Sequence, residues 1–203
     1  NDRLIGGSTL SLGSFTDNDS IFGGTGNDTL IGGFGNDTVI GGLGNDTYYS
    51  TTVSNQDSGS DLIEAGLGND SIHDFGGADT QLGGDGNDTI FNTQNVVDGA
   101  DSILGGDGDD QIYSGQNGGD TVLGGAGNDS VLGSSGSDSI IEVDGDGAGN
   151  DTLDGGTFDG EADTIFGDGG NDVLFGGTGG SDLLYGGADN DTRNGGLGAD
   201  VLF

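Results

Sequence analysis

The chain lacks cysteine, proline, methionine and tryptophan, and among its 203 residues only Arg3 and Arg193 carry fixed positive charge. Without cysteine it can form neither disulfides nor thiolate-ligated zinc or iron–sulfur sites. Two cations against 36 Asp and Glu residues leave a formal net charge of −34. This charge excludes binding of nucleic acid through its phosphates. No apolar run is long enough to span a membrane.

Hydrophobic residues are also scarce, at 29%, whereas glycine is abundant, with 50 copies. A chain this rich in glycine cannot supply the long helices of a Rossmann or TIM-barrel enzyme. Low hydrophobicity with high net charge is typical of a disordered polyanion. The alternative is a repeat fold in which a ligand neutralises the aspartates. Composition does not separate these two interpretations, but periodicity does.

A nine-residue repeat runs along the chain, and residues 23–49 read GGTGNDTLI, GGFGNDTVI, GGLGNDTYY. The unit is G-G-x-G-[N/D]-D-x-U-x, where U is apolar. Twenty units align on its Asp, and 12 of the 19 intervals are nine residues long. A disordered chain has no reason to keep this register. We therefore predict that the repeat is ordered when a bound cation neutralises the aspartates and disordered when no cation is bound. The aligned aspartates are Asp2, Asp19, Asp28, Asp37, Asp46, Asp61, Asp70, Asp79, Asp88, Asp101, Asp110, Asp120, Asp129, Asp138, Asp151, Asp163, Asp172, Asp182, Asp191 and Asp200.

Each unit divides into a six-residue loop and a short strand, x-U-x. The U position is apolar in 18 of 20 units, the exceptions being Gln81 and Arg193. One unit cannot bury its single U side chain, but stacked units can, as two facing parallel sheets. We therefore predict an all-β parallel β-roll with two strands and two loops per 18-residue coil, about ten coils in all. It forms one domain over residues 1–203.

The loops offer carboxylate and carbonyl oxygens only, the donor set that calcium prefers. The repeat resembles the RTX (repeats-in-toxin) calcium-binding nonapeptide, and the resemblance covers essentially the whole chain. It implies a right-handed parallel β-roll with calcium between loops of successive coils, held by Asp side chains and loop carbonyls. One ion for each pair of units a coil apart gives up to about 18 calcium sites. The predicted ligand residues are Asp19, Gly23, Thr25, Asp28, Gly32, Phe34, Asp37, Gly41, Leu43, Asp46, Asp61, Asp70, Asp79, Gly83, Asp85, Asp88, Asp101, Gly105, Asp107, Asp110, Asp120, Gly124, Ala126, Asp129, Asp138, Asp151, Asp163, Asp172, Asp182, Asp191 and Asp200.

Some loops depart from the motif. Insertions fall in loops 50–61, 92–101, 142–151 and 155–163, where we expect altered or empty sites. We also expect altered or empty sites beside Gln81 and Arg193, since Arg193 could place a cation where the core or a metal would otherwise lie.

The residue after U should face outward, yet it is apolar in 16 of 20 units. Two interpretations remain open: side chains that stabilise the sheet through same-face neighbours, and an assembly interface. Counting units alternately from Asp2 gives two outer faces. One carries Ile5, Ile31, Tyr49, His73, Phe91, Tyr113, Leu132, Asp154, Phe175 and Asn194. The other carries Phe22, Ile40, Glu64, Leu82, Leu104, Leu123, Ile141, Phe166, Tyr185 and Phe203.

The RTX resemblance implies an extracellular or cell-surface bacterial protein, exported by type I secretion and folded on calcium outside the cell. We expect a non-enzymatic structural module of an S-layer protein, adhesin or extracellular filament. The alternative is the C-terminal RTX module of a secreted protease, lipase or cytolysin. Partners besides calcium would be a second copy or neighbouring RTX domains. The chain begins and ends inside a unit, so we expect a segment of a longer protein.

Overall fold

A computed structural model describes residues 18–50, 59–92, 99–116, 118–143, 149–156 and 160–203, and the backbone of two strands at 3–5 and 10–11. Regular structure in these residues consists of short strands and contains no helix. The strands are β1 Arg3–Ile5, β2 Leu10–Ser11, β3 Ser20–Thr25, β4 Thr29–Ile31, β5 Thr38–Leu43, β6 Thr47–Tyr49, β7 Leu62–Leu67, β8 Ser71–Asp74, β9 Thr80–Asp85, β10 Thr89–Asn92, β11 Ser102–Asp107, β12 Gln111–Tyr113, β13 Thr121–Ala126, β14 Ser130–Leu132, β15 Ser139–Ile141, β16 Thr152–Asp154, β17 Thr164–Phe166, β18 Val173–Phe175, β19 Leu183–Tyr185, β20 Thr192–Asn194 and β21 Val201–Leu202.

Successive strands alternate between two sheets. The odd-numbered strands form an 11-stranded sheet, here called sheet 1, and the even-numbered strands form a 10-stranded sheet, called sheet 2. Neighbours in each sheet are parallel, as in the pairs β9–β11 and β10–β12. Each strand therefore pairs with the strand one coil later, which confirms the predicted all-β parallel β-roll.

The register places U residues opposite one another, so that they form the core. Ile103 pairs with Gln81 on one side and with Val122 on the other. Their flanking residues are more exposed, which gives the alternating burial expected of strands with one covered face. The buried apolar residues are Ile21, Leu30, Val39, Tyr48, Ile63, Ala65, Ile72, Ile90, Ile103, Ile112, Val122, Val131, Ile140, Leu153, Ile165, Leu174 and Leu184.

The N-terminal coil departs from the alternate counting of units. Strand β1 pairs with β3, with Leu4 opposite Ile21 and Ile5 opposite Phe22, so Ile5 belongs to sheet 1. The predicted grouping of Ile5 with the residues that lie in sheet 2 is wrong. The reason is an additional strand, β2, in which Leu10 pairs with Leu30 as a further U residue. Asp2 and Asp19 are 17 residues apart, almost two units, and Ser8 replaces the aspartate of the unit between them.

The U residue of the last strand is more exposed than the core residues before it. Leu202 of β21 is 44% exposed, whereas Leu184, its partner in β19, is fully buried. Within the described ranges, no helix is long and apolar enough to cross a membrane.

Candidate metal centres

The loops that join the two sheets line the two long edges of the roll. At edge 1 the chain passes from sheet 1 to sheet 2, and at edge 2 it returns. The repeat aspartate is the last loop residue before a strand. Edge 1 carries Asp28, Asp46, Asp70, Asp88, Asp110, Asp129, Asp151, Asp172 and Asp191. Edge 2 carries Asp19, Asp37, Asp61, Asp79, Asp101, Asp120, Asp138, Asp163, Asp182 and Asp200.

One carboxylate oxygen of each aspartate links neighbouring coils. The backbone N–H of Asp70 donates to Asp88 Oδ1 at 2.7 Å, and that of Asp88 donates to Asp110 Oδ1 at 2.7 Å. On edge 2 the same bond joins Asp79 N–H to Asp101 Oδ1 at 2.8 Å. The two ladders run from Asp28 to Asp191 and from Asp19 to Asp200. The sequence thus brings the predicted aspartates together as two continuous rows.

The second carboxylate oxygen has no such partner along much of edge 1. The Oδ2 atoms of five aspartates in consecutive coils are buried and accept no hydrogen bond: Asp28, Asp46, Asp70, Asp88 and Asp110. A buried carboxylate oxygen without a partner is costly, and the usual solutions are a proton or a bound cation.

A glycine at the first loop position leaves the space beside four of these five oxygens without a side chain. A Cβ on Gly23 would lie 2.9 Å from Asp28 Oδ2 and 2.6 Å from the Gly41 carbonyl oxygen of the next coil. We call this space a cradle. Gly83 leaves one between Asp88 Oδ2 and the Gly105 carbonyl, and Gly105 leaves another beside Asp110. Gly41 does the same beside Asp46, whereas Ala65 stands at this position in the Asp70 loop.

The electrostatics of edge 1 favour neutralisation. Burial, together with the charge of neighbouring aspartates, raises the pKa of Asp88 to about 7 and that of Asp110 to about 7, although backbone hydrogen bonds partly offset the rise. Burial likewise raises the pKa of Asp46 and of Asp70. A divalent cation would let these groups stay ionised at neutral pH.

The donor set fits calcium. No cluster of three or more His, Cys, Asp or Glu side chains that could hold a metal occurs in the described part of the chain. A bound ion would therefore combine carboxylate oxygens with backbone carbonyls, as the cradles offer. An all-oxygen set on flexible loops suits calcium, whereas magnesium requires tight octahedral geometry.

Arg193 shows that one such cradle takes a cation. Its Nη1 lies in the space beside Gly186, 3.4 Å from Asp191 Oδ2, and donates to the Phe203 carbonyl at 2.7 Å. A guanidinium group thus lies beside the last aspartate of edge 1. The U side chain of β20 contributes to this edge instead of to the core.

The loop residues predicted to bind through their carbonyls lie at the rim. On edge 1 the Leu43 carbonyl accepts the Gly26 N–H at 2.8 Å, and the Asp107 carbonyl accepts the Gly86 N–H at 2.7 Å. The carbonyls of Asp85 and Ala126 accept equivalent bonds, and Thr25 pairs with Leu43 in the same row. Phe34 is half-buried on edge 2.

Edge 2 has a different interior. Where edge 1 has mostly glycine at the first loop position, four consecutive edge 2 loops carry a larger, buried polar residue: Ser50, Asp74, Asn92 and Ser114. The spacing of the aspartates and the lengths of the inserts do not reveal these residues. The signal was the loss of glycine at the first position in successive loops on one side.

Gln81, the buried exception in the core, connects to this interior. Its Nε2 donates to Asp74 Oδ2 at 3.0 Å and to Asn92 Oδ1 at 2.8 Å. Burial and then the charge of Asp74 strongly raise the pKa of Asp79, which is the repeat aspartate of the same loop as Asp74. The edge thus satisfies the amide nitrogen of Gln81, whereas its Oε1 is buried and accepts no hydrogen bond.

Glu142 is a further carboxylate that the aspartate register does not predict, and it occupies the first loop position after β15 on edge 1. Its carboxylate lies beside Gly124, in the same cradle as Asp129 Oδ2, and accepts the Gly125 N–H at 3.2 Å. This is a cradle on edge 1 with two carboxylates, so a calcium ion would meet more negative charge there.

Comparison with known proteins agrees with this geometry. The family model for the RTX calcium-binding nonapeptide repeat (4 copies) matches residues 14–48, 56–90, 97–117, 114–141, 147–180 and 177–202. No curated protein sequence matches the chain. The matched segments span most of the chain and coincide with the loops that carry the two aspartate rows. The chain belongs to the RTX calcium-binding nonapeptide repeat family.

Proposed function

We propose that this chain is a non-catalytic calcium-binding module of a secreted bacterial surface or matrix protein, such as an S-layer protein, adhesin or extracellular filament. Calcium binding couples to its folding. The observation that carries the proposal is the row of buried, unpartnered Oδ2 atoms at Asp28, Asp46, Asp70, Asp88 and Asp110.

Charge repulsion makes the ion necessary for folding. Parallel strands are ~4.8 Å apart, so stacked aspartates hold negative charges at about that spacing along both edges. The whole chain carries a formal charge of −34, with two cations to oppose it. Divalent ions at the edges would cancel this charge, and their binding energy becomes folding energy.

The same coupling explains how such a chain could be exported. A chain that stays unfolded where calcium is scarce can pass through a secretion channel, and it folds where calcium is plentiful. RTX repeats are typical of secreted bacterial proteins, which supports an extracellular or cell-surface location.

The experiment is a comparison of far-UV circular dichroism and hydrodynamic radius in calcium, in magnesium and in excess chelator. We expect a compact β-rich chain in calcium and an expanded one in the other two conditions. A chain that is equally compact in chelator would refute calcium-coupled folding.

We further propose that the outer face of sheet 1 supports self-association. Half-buried apolar residues such as Leu82, Leu104 and Leu123 follow one another along this face. Near its end the rings of Phe166, Tyr185 and Phe203 stack, with centroids 4.9 and 4.5 Å apart. A continuous apolar strip is typical of interfaces.

Sedimentation velocity in calcium tests this association. The double variant Leu104→Ser and Leu123→Ser should be monomeric at concentrations where the wild type self-associates, while both keep their β signal. An unchanged oligomeric state in a folded double variant would exclude this face as the interface.

A further inference from the structure

We infer that two cradles in the middle of edge 2 are closed to calcium by the chain's own side chains, so that the two edges bind unequal numbers of ions. The inference rests on the proposed calcium-binding function and specifies which aspartates perform it. The two closed cradles lie beside Asp61 and Asp101.

In loop 50–61 the donor comes from the core. Tyr48 is the U residue of β6, and its hydroxyl donates to Asp61 Oδ2 at 3.0 Å. The first loop position is Ser50, which is completely buried, instead of glycine. The carboxylate oxygen that is unpartnered on edge 1 therefore has a hydrogen bond donor here, and the hydroxyl of Ser50 itself is buried without a partner.

In loop 92–101 the donor is the residue at the first loop position. Asn92 Nδ2 donates to Asp101 Oδ2 at 2.6 Å, and Asn92 Oδ1 accepts from Gln81. Asn92 is 3% exposed, so this amide fills the cradle. A neutral amide N–H beside the carboxylate supplies the stabilisation that an ion supplies elsewhere.

Loop 114–120 is intermediate between the two kinds of loop. Ser114 is completely buried, and its Oγ donates to the Gly133 carbonyl at 2.7 Å. By position this carbonyl corresponds to Gly41 O beside Gly23. Asp120 Oδ2, however, is buried and accepts no hydrogen bond, as on edge 1, so this loop is not one of the closed cradles.

Edge 1 supplies the contrast within the same molecule. The aspartates of these coils on edge 1, among them Asp46, Asp88 and Asp110, keep Oδ2 atoms without a hydrogen bond partner. Gly83 and Gly105 place no side chain in the cradles beside Asp88 Oδ2 and Asp110 Oδ2. Arg193 provides a precedent, because its guanidinium occupies the last cradle of edge 1. Internal donors and bound ions are thus alternative ways to satisfy the same carboxylate row.

The test counts calcium ions per chain at saturation, by native mass spectrometry checked against equilibrium dialysis. Asn92→Gly removes the donor to Asp101 Oδ2 and opens the cradle, and it should bind one ion more than the wild type. Gly83→Ser places a side chain between Asp88 Oδ2 and the Gly105 carbonyl, and it should bind one ion fewer. The matched control is Ser134→Gly, at the second position of another edge 2 loop, which should leave the count unchanged.

The outcomes separate the inference from the function it rests on. A wild type that binds calcium but shows the same count in Asn92→Gly overturns the inference alone. If Asn92→Gly does not fold, Gly83→Ser decides, and a folded Gly83→Ser variant with an undiminished count overturns it. A wild type that binds no calcium overturns the proposed function.

Discussion

Substitution of Asp88 by Asn separates the two roles of the repeat carboxylate. Asn retains an Oδ1 that can accept the Asp70 N–H, which Asp88 Oδ1 accepts at 2.7 Å. It replaces the buried, unpartnered Oδ2 with an amide nitrogen that cannot bind a cation. The variant should therefore lose one ion site while its link to the neighbouring coil persists.

The magnitude follows from mass action. An ion that binds only the folded chain stabilises it by about 2.7 kcal/mol when free calcium is about 100-fold above its dissociation constant. Asp88→Asn should lose about this amount in saturating calcium. In chelator the sign reverses, because the variant removes a carboxyl group whose pKa burial raises to about 7.

The assay is urea unfolding in saturating calcium, followed by circular dichroism, together with the ordered fraction in chelator. The matched control is Asp109→Asn, which removes the same charge from the exposed rim of edge 1. Asp109 Oδ1 accepts the Asn128 N–H at 2.8 Å, a bond that an Asn side chain can also accept. Equal stabilities of the two variants in calcium would refute the assignment of Asp88 Oδ2 as a ligand.

Three further predictions test the core, the backbone and the proton dependence. Ile103→Ala should lower the free energy of unfolding in calcium by about 2–5 kcal/mol, since Ile103 is 1% exposed. Leu202→Ala should lower it far less, since Leu202 is 44% exposed. Urea unfolding measures both losses. Gly84→Ala should cost more than about 1–3 kcal/mol, because the φ of Gly84 is +119° and a Cβ would collide with the Gly66 carbonyl. Gly24→Ala should cost less, because Gly24 has a φ of +102° but open space around it. Equal losses of stability in the two variants would show that the collision is unimportant. In chelator the ordered fraction should rise on acidification. The pKa values of Asp88 and Asp110 are raised in the folded chain from 3.8 to about 7. The stability that their protonation gives the ion-free roll is therefore greatest below pH 3.8 and is lost as the pH rises through 7. A circular dichroism signal independent of pH in chelator would contradict this.

The sequence predicts the architecture of this chain well because one physical constraint recurs in every unit. A buried U residue two positions after the aspartate fixes both the strand and its register, which is why Ile90 pairs with Ile112 as the repeat predicts. Where the constraint weakens, prediction fails. The unit of Leu10 lacks the aspartate, so the aspartate register does not predict strand β2. The alternate counting of units then groups Ile5 with sheet 2, whereas β1 pairs in sheet 1.

The candidate sites were predictable only in part. The sequence identifies the aspartates, but it does not show which of their oxygens have partners, because this depends on residues at other positions. Tyr48 looks like an ordinary core residue, yet its hydroxyl reaches Asp61. Asn92 looks like the start of an insert, yet it bonds Asp101. Only the coil geometry brings these pairs together.

The calcium titration of far-UV circular dichroism, starting from excess chelator, tests the central claim most directly. If the buried carboxylate rows need calcium, β signal should be weak at first and should rise cooperatively with added calcium, whereas magnesium should not replace it. Full β signal in excess chelator, unchanged by added calcium, would contradict the account.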